Sequence, residues 1–175
     1  MMDDGLRIRL PLADELARLA RIERRAARLF SPDDLPSALS ERTLPAETLS
    51  AARDAGLLWV ADDAGQPVGF ALAEILDGQL HLAEMDVDPA HARRGIGSAL
   101  LEHVLAHGAQ AGFDGVTLTT FSHLPWNAPF YRRRGFEPHA PAAGSPLASK
   151  LAEEIQAGLR HRIAMRFALN QPLQE

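Results

Sequence analysis

The sequence predicts a mixed α/β (α+β) fold, with a mostly antiparallel central sheet and helices on both of its faces. In Leu57–Pro89, three segments of strand character follow one another through short turns, which is typical of an antiparallel meander. After Pro89, segments of helix and strand character alternate. No repeat and no long linker interrupts the 175 residues, and this length suits one hydrophobic core. We therefore expect residues 1–175 to form a single domain.

The first predicted elements are a short strand and two helices. Residues 6–10, LRIRL, alternate in polarity and stop at Pro11, which predicts a strand. Residues 31–45 are expected to be a loop or a broken helix, and a helix then begins at Pro45 and ends at Gly56. Between the strand and this loop, apolar residues at helical spacing predict the first helix, which ends at Ser31-Pro32; they are Leu12, Leu16, Leu19, Ile22, Ala26 and Leu29.

The later elements are bounded by turn residues and helix caps. The meander turns fall at Asp63–Gly65 and Asp77-Gly78, and Asp-Gly is a strong hairpin signal. After a glycine-containing loop, a helix is expected up to about Ala111. The remaining predictions are a strand GVTLTTF, a short helix ending at Gly135, a strand beginning with FEP, a helix capped by Ser145 with Pro146 in its first turn, and a closing strand RIAMRFAL.

Composition and charge exclude several classes of function. The net charge of −5 makes nucleic acid an unlikely partner, whereas a mildly acidic enzyme suits a cationic substrate. The locally basic segment Arg21–Phe30 is expected to be a solvated helix face. The sequence contains no cysteine, so disulfides, thiolate zinc sites and a cysteine nucleophile are excluded. No apolar run approaches the roughly 20 residues of a membrane helix, and no signal peptide is evident, so we expect a cytoplasmic protein.

Two glycines at Gly95 and Gly97 open the long central helix, and three ligand-binding patterns could explain them. A dinucleotide-binding turn would need a small residue where Leu100 stands, and it would follow its strand more tightly. A P-loop would need a Gly-Lys pair, which the chain lacks. The third pattern is a cradle in which the first N–H groups of the helix hold a pyrophosphate, with Arg93 and Arg94 adding positive charge. By itself, the pair favours an ordinary helix start over a ligand-binding cradle.

The surrounding sequence resembles the GNAT (Gcn5-related N-acetyltransferase) superfamily. Met85–Leu105, MDVDPAHARRGIGSALLEHVL, resembles the coenzyme A loop of that family, in which a strand ending in Val-x-Pro precedes R/Q-x-x-G-x-G/A and a helix. Asn127–Pro138, NAPFYRRRGFEP, is similar to the family's second segment, which contains a tyrosine and a Gly-Phe pair. Two departures are visible: Ala92 stands at the first Arg/Gln position, and Leu124 stands where an asparagine is common.

The resemblance implies acetyl-CoA as acyl donor and a GNAT fold for the single domain. The backbone of Met85, Asp86 and Val87 would pair with the pantetheine arm as an additional strand would. The pyrophosphate would be held by backbone N–H groups of six consecutive residues: Arg93, Arg94, Gly95, Ile96, Gly97 and Ser98. The helix would pack its inner face through Ile96, Ala99, Leu100 and Val104, which are spaced for that role.

The implied chemistry is direct attack of an amine on a thioester. An alkyl ammonium has a pKa near 10.4, so deprotonation at neutral pH costs roughly 4–5 kcal/mol, and a general base is useful. Glu84 is our first candidate for this base, His81 the second and Asp86 the third; each could equally be an ordinary strand residue facing solvent. By resemblance, Tyr131 would protonate the leaving thiolate.

The acceptor side is less well defined by the sequence. The resemblance places Phe121, His123, Trp126 and Asn127 beside the acceptor, with His81 as a further contact, although Trp126 could equally cap the core. His103 and His107 have metal-ligand spacing on one helix, but no third ligand is evident and we expect no metal site.

We therefore expect an acetyl-CoA-dependent N-acetyltransferase, an acyltransferase that acts on a primary amine of a small molecule or peptide. The alternative is a non-catalytic acyl-CoA-binding sensor with the same fold. A homodimer is compatible with the sequence, but no apolar patch indicates one.

Overall fold

The computed structural model describes residues 5–169 and contains every element that the sequence predicts. The strands are β1 Leu6–Arg9, β2 Leu58–Asp63, β3 Gln66–Leu76, β4 Gln79–Val87, β5 Gly115–Phe121, β6 Glu137–Pro138 and β7 Arg162–Ala168. The α-helices are α1 Leu16–Ala27, α2 Ser37–Ser40, α3 Ala46–Asp54, α4 Ile96–Gln110, α5 Ala128–Arg132 and α6 Pro146–Gln156. Two short 3₁₀ turns, Ala13–Glu15 and Pro89–His91, were not predicted.

The seven strands form a mixed sheet in the order β1-β2-β3-β4-β5-β7-β6. β4 and β5 are parallel, with Leu80 opposite Val116. The pairs β1–β2, β2–β3, β5–β7 and β6–β7 are antiparallel. Left-handed backbone at Ala64-Gly65 and at Asp77-Gly78 makes the two tight turns of the meander. The predicted mixed and mostly antiparallel sheet is thus confirmed.

The described residues form two compact units, and β3, β4 and α4 each contribute to both. The first unit contains residues 5–74 and 83–104, and the second contains Ile75–Leu82 and residues 105–169. The single domain expected from the sequence remains a prediction.

In the first unit, α1 and α3 cover one side of β2 and β3. The core consists of tightly packed apolar side chains, because each element presents its apolar stripe to the same layer; its members include Leu19, Ile22, Leu49, Leu58, Val60, Phe70 and Leu72. The prediction that the apolar stripe of α1 extends from Leu12 to Leu29 is wrong at both ends. Leu12 and Leu29 are exposed, since both lie outside the helix Leu16–Ala27.

A buried carboxylate fastens β1 to β2 in the same unit. Asp62 is 1% exposed and accepts hydrogen bonds from Arg9 Nε at 2.8 Å, Arg7 Nε at 3.2 Å and the Gly65 N–H at 2.6 Å. Burial opposes the charge of Asp62, but these donors outweigh it and lower the pKa of this carboxyl. Arg9 also makes a two-pronged ion pair with Glu15 at 2.8 Å.

The second unit is built on the β5–β7 pair, which runs in register from Gly115 opposite Ala168 to Phe121 opposite Arg162. α6 begins as predicted, because the Ser145 hydroxyl accepts the N–H of Ala148 at 3.2 Å. Gly135 follows α5 and has a left-handed φ of 97°, which stops the helical turn where the sequence predicted its end. Within the described residues, no helix is long and apolar enough to cross a bilayer.

Candidate active site

The glycine loop joins β4 to α4 in the first unit. Asp88 starts it by accepting the N–H of Ala90 at 3.0 Å, which fixes the 3₁₀ turn Pro89–His91. The chain then passes through two left-handed residues, Arg93 with φ 64° and Gly95 with φ 77°. α4 begins at the next residue, Ile96, as the sequence predicted to within one residue.

Two ion pairs anchor this loop. Arg25 of α1 lies 3.1 Å from the Asp88 carboxylate at its start. Arg94 Nη1 lies 2.9 Å from Asp63 Oδ2, which belongs to the turn between β2 and β3. The positive charge that the sequence assigned to Arg94 as a ligand contact is therefore partly neutralised by protein. Arg93 is exposed.

The loop fits a pyrophosphate group sterically and electrostatically. A Cβ placed on Gly95 would have no atom within 4 Å, so the backbone there is open to a ligand. The first helical hydrogen bond runs from the Ala99 N–H to the Gly95 oxygen at 3.0 Å, and the N–H groups preceding Ala99 have no acceptor within the helix. Such groups, together with the helix dipole, favour an anion at this end.

Close packing behind the loop sets the position of α4. A Cβ on Gly69 would lie 3.0 Å from the Asp86 backbone oxygen and 3.2 Å from Ile96 Cγ2. Only glycine lets β3 approach both the β4 backbone and the first turn of α4 so closely. The buried face of α4 contains Ile96, Leu100 and Val104 as predicted. It includes Leu101 in addition, whereas Ala99, which was also expected there, is only partly buried.

Three carboxyl groups interact at the second half of β4. Asp86 and Glu84 share a side-chain hydrogen bond, and the negative charge of Glu23 on α1 acts on Asp86 as well. Glu23 is held in place by the Leu44 N–H, which lies 2.9 Å from its Oε2. The Oδ2 atom of Asp86 is inaccessible to solvent and has no hydrogen-bond partner among the described residues.

This arrangement changes the proton affinity of two of the three groups. Burial raises the pKa of Asp86 well above its ordinary value, and the charge of Glu84 raises it further. Burial also raises the pKa of Glu23 to about 7, again with a contribution from Glu84. The neighbours of Glu84 therefore tend to carry protons near neutral pH. Asp86 in its acid form can donate a hydrogen bond to a Glu84 carboxylate.

Met85 and Val87, whose backbone the sequence assigned to the cofactor, lie with Asp86 on the same part of β4 and are partly buried. Ile96, Gly97 and Ser98 form the first turn of α4, while Arg93, Arg94 and Gly95 precede it. All of the predicted cofactor-binding residues thus belong to the first unit.

The second unit holds Tyr131, the predicted acid, on α5. The side chain is 8% exposed and packs edge-on against Phe130 at 5.2 Å and Phe136 at 5.6 Å between ring centroids. These rings fix the plane of the phenol.

Asn127 precedes α5 and carries a second buried acceptor. Its Nδ2 donates to the Trp126 carbonyl at 3.3 Å, whereas its Oδ1 is inaccessible to solvent and has no partner among the described residues. This oxygen therefore lacks the hydrogen-bond partner that buried acceptors usually have. Trp126 itself is 46% exposed, so it does not cap the core.

Phe121 and His123 lie at the end of β5. Phe121 is almost fully buried, and the guanidinium of Arg162 stands 4.6 Å from its ring centroid. Arg162 is held by Glu154 at 3.2 Å. His123 is exposed, with its ring 4.7 Å from that of His161. His123 thus offers more surface to a substrate than Phe121 does.

His81, the second candidate base, is 1% exposed in the second unit. Its Nδ1 lies 2.9 Å from the hydroxyl oxygen of Thr117 on β5, and Thr117 is buried too. This hydrogen bond satisfies one ring nitrogen and gives His81 a structural role in the sheet.

Across residues 5–169, no group of three or more potential ligands could hold a metal ion. His103, one of the two histidines with metal-ligand spacing, packs edge-on against Trp59 at 5.7 Å.

Sequence reasoning missed Glu23. It lies in Arg21–Phe30, which was expected to be a solvated face, and the arginines of that segment are indeed exposed. Glu23 is only partly exposed because it directly follows the buried Ile22. The sequence did contain one signal of this partial burial, namely a glutamate next to the apolar stripe of a helix.

Comparison with known proteins identifies the family of the chain. The model of the Acetyltransferase (GNAT) family matches residues 16–136, which include β4, the glycine loop and α5. The chain belongs to this family.

Solved structures share the fold over nearly the whole chain. The PaiA N-acetyltransferase from Thermoplasma acidophilum, in complex with coenzyme A, superimposes with a TM-score of 0.69, 17% identity and coverage of 94% of this chain and 99% of that one. The ribosomal-protein-S18-alanine N-acetyltransferase from Escherichia coli gives a TM-score of 0.68, 18% identity and 97% coverage of both chains. The predicted GNAT fold is confirmed.

Curated relatives match over shorter stretches. The mycothiol acetyltransferase of Clavibacter michiganensis is 51% identical over 53 residues, 30% of this chain and 17% of the relative. The N-alpha-acetyltransferase 40 of Saccharomyces cerevisiae is 35% identical over 96 residues, 50% of this chain and 34% of the relative. The matched stretches therefore span about a third or less of the length of these two relatives.

Proposed function

We propose that the protein is an N-acetyltransferase that transfers an acetyl group from acetyl-CoA to a primary amine. The observation that carries this proposal is the open glycine backbone at the N-terminus of α4, in a chain that belongs to the GNAT family. Family members of the same fold were solved with coenzyme A or acetyl-CoA bound. When bound, acetyl-CoA supplies a thioester that an amine can attack directly.

The glycine loop binds the pyrophosphate through backbone N–H groups of Arg93–Ser98. This mode of binding tolerates Ala92, because it does not depend on a side chain at that position. Arg93 adds a charge from an exposed position, and Arg94 adds a charge that Asp63 partly neutralises.

The pantetheine arm lies along the backbone of Met85–Val87 as an additional strand would. Asn127, whose Oδ1 has no hydrogen-bond partner among the described residues, is assigned to the acceptor side rather than to the cofactor.

Glu84 is the general base and removes the proton from the acceptor ammonium. Asp86 supports this role, because burial and the charge of Glu84 raise its pKa, and its acid form can donate a hydrogen bond to a Glu84 carboxylate. Glu23, whose pKa is raised to about 7, adds negative charge in its ionised fraction and so helps to attract a cationic acceptor. His81 is not needed as a base, since it is buried against Thr117.

Tyr131 is the general acid and donates its phenolic proton to the leaving thiolate. The packing of its ring against Phe130 and Phe136 keeps the hydroxyl in one orientation. On the acceptor side, we assign His123 and Trp126, which are exposed, as contacts of the amine substrate and Phe121 as their support.

The class of acceptor follows from the reaction. One curated relative is named an N-alpha-acetyltransferase and one structural neighbour a ribosomal-protein-S18-alanine N-acetyltransferase, and both names support an amine as the acceptor. The cluster of three carboxyl groups, from Glu84, Asp86 and Glu23, favours acceptor amines that arrive as cations, because negative charge attracts them. A cytoplasmic location and a homodimer remain predictions from the sequence.

Binding is tested first, by calorimetry with coenzyme A. Gly97→Glu places a negative side chain in the first turn of α4 and should abolish binding through repulsion of the phosphates. Gly97→Ala is the control for helix geometry and should retain most of the affinity. Unchanged affinity in Gly97→Glu would refute the cradle.

Turnover is tested next, by thiol release from acetyl-CoA in the presence of a panel of primary amines. Glu84→Gln and Tyr131→Phe should each lower kcat by about a hundredfold or more, with little change in coenzyme A affinity, because acid–base catalysis contributes about that much. A protein that binds acetyl-CoA but releases no thiol with any amine would instead be the sensor.

A further inference from the structure

Two adjoining cavities in the second unit share Arg166 and His139. The first, of about 390 Å³, lies beside the edge where β6 meets β7, and its wall includes Glu137 and Phe167. The second, of about 250 Å³, extends beneath the segment Ala140–Ala142 to the turn between β3 and β4. None of the lining residues is among those assigned above to acetyl transfer. We call the two cavities together the Arg166 crevice.

Arg166 is a partly buried cation with a neutral partner. Its Nη2 donates to the Gln79 side-chain oxygen at 3.2 Å, and this is its only side-chain hydrogen bond within residues 5–169. A guanidinium has five N–H donors and is always charged at physiological pH. Since a partly desolvated charge is stabilised by a counter-ion, the remaining donors are suited to an anion in the crevice.

The guanidinium has a prepared position. A Cβ on Gly115 would lie 2.6 Å from Arg166 Nη2 and 2.7 Å from Cζ and Nε, so the fork lies against a strand that carries no side chain there. His139 also lines both cavities, and its backbone N–H donates to the Ala164 carbonyl at 2.9 Å, which holds this residue beside β7. Arg166 and His139 therefore line the same crevice.

The carboxylates in the crevice restrict the ligand. Glu137, which lies opposite Arg166 in the β6–β7 register, lines the first cavity, and Asp77 lines the second. These two carboxylates repel a highly charged anion more strongly than a ligand with a single negative charge. A planar carboxylate also matches the fork of a guanidinium.

We propose that the Arg166 crevice is a second binding site, which takes a small molecule bearing one carboxylate. Arg166 binds the carboxylate through its fork, and His139 contributes a further N–H donor. The site is independent of acetyl-CoA and of the acceptor amine.

The test is an NMR titration of the full chain with acetate as the probe, followed by the amide resonances of Gly115, Gln79 and His139. Acetamide, which has nearly the same shape but no charge, is the matched control, and inorganic phosphate is the more highly charged anion. Acetate should shift these resonances saturably, whereas acetamide should not and phosphate should bind more weakly.

Two variants separate the site from general charge effects. Arg166→Gln should weaken acetate binding by about tenfold or more, since hydrogen bonds to charged groups are worth that much. Gly115→Ala keeps the charge but displaces the guanidinium, and it should weaken binding similarly. Equal shifts with acetate and acetamide, or unchanged acetate binding in Arg166→Gln, would overturn the proposal. Neither result depends on acetyl transfer.

Discussion

Arg94 and Asp63 form an ion pair of 2.9 Å that ties the glycine loop to the turn between β2 and β3. Because Asp63 neutralises part of the charge beside the anion cradle, Asp63→Asn should tighten coenzyme A binding by a few-fold, and Arg94→Ala should weaken it by a similar factor. Both side chains are partly exposed, so the stability cost should be only about 0–1 kcal/mol. Calorimetry with coenzyme A distinguishes this from an orienting role, in which Asp63→Asn would also weaken binding.

Gly95 should tolerate side chains according to their backbone preference rather than their size. Its φ is 77° and a Cβ would meet no protein atom. We expect Gly95→Ala to lower the free energy of unfolding by about 1–2 kcal/mol, the cost of a left-handed residue. Gly95→Asn should cost less, because asparagine adopts this conformation more readily. Urea denaturation measures both, and equal losses in the two variants would contradict this explanation.

Gly69 should be far less tolerant. A Cβ there meets the Asp86 carbonyl and Ile96 Cγ2, and the backbone atom cannot move alone. Gly69→Ala should therefore cost about 1–3 kcal/mol as an overpacked site and should also weaken coenzyme A binding, since α4 would shift. If Gly69→Ala were as stable as the wild type and bound coenzyme A with full affinity, the close approach of β3 to β4 and α4 would not be needed for either property.

The stability of the fold should depend on pH through Glu23. Its pKa is raised from the ordinary value of 4.5 to about 7, so folding favours the protonated form. The stabilisation is complete below pH 4.5 and is lost as the pH rises through about 7. Relative to the wild type, Glu23→Gln should thus become more stable as the pH increases across this interval. This is checked by measuring melting temperatures of the wild type and Glu23→Gln from pH 4 to 8, with Glu41→Gln at an exposed position as the control. A difference between the wild type and Glu23→Gln that did not change with pH would show that Glu23 is solvated.

His81 should matter for stability and not for turnover. His81→Leu leaves the buried Thr117 hydroxyl without its partner and should cost about 1–3 kcal/mol, whereas His81→Asn can retain a hydrogen bond. Neither variant should change kcat for the folded protein. A stable His81→Asn protein with strongly reduced kcat would instead make His81 the base.

The fold was predictable because its boundaries are marked by local chemistry. Asp77-Gly78 forces a tight turn, Ser145 caps α6 through its own hydroxyl, and the strand GVTLTTF occupies Gly115–Phe121 as expected. The stripe of α1 was misjudged at Leu12 and Leu29 because helical spacing continues in sequence after the helix itself has ended. The candidate cofactor loop was also predictable from local sequence, since its glycines and the helix that follows them are adjacent in the chain.

The electrostatic part of the site was not predictable. Glu23 is 61 positions before Glu84 in the chain, and only tertiary packing reveals that its charge acts on Asp86. The pairing of Arg94 with Asp63 is likewise a contact between distant segments. Sequence patterns report which residues are available, whereas pKa values depend on which charges and dipoles come together in space.

Asp62 carries a consequence for how the protein can be handled in the laboratory. Two of its three donors, Arg7 and Arg9, come from the outermost strand at the amino end. A shortened expression clone starting after Arg9 would leave an ionised carboxylate inside the sheet with only one of its three donors, the Gly65 N–H. Affinity tags should be joined before Leu6 through a flexible spacer, and trimming from this terminus should be avoided.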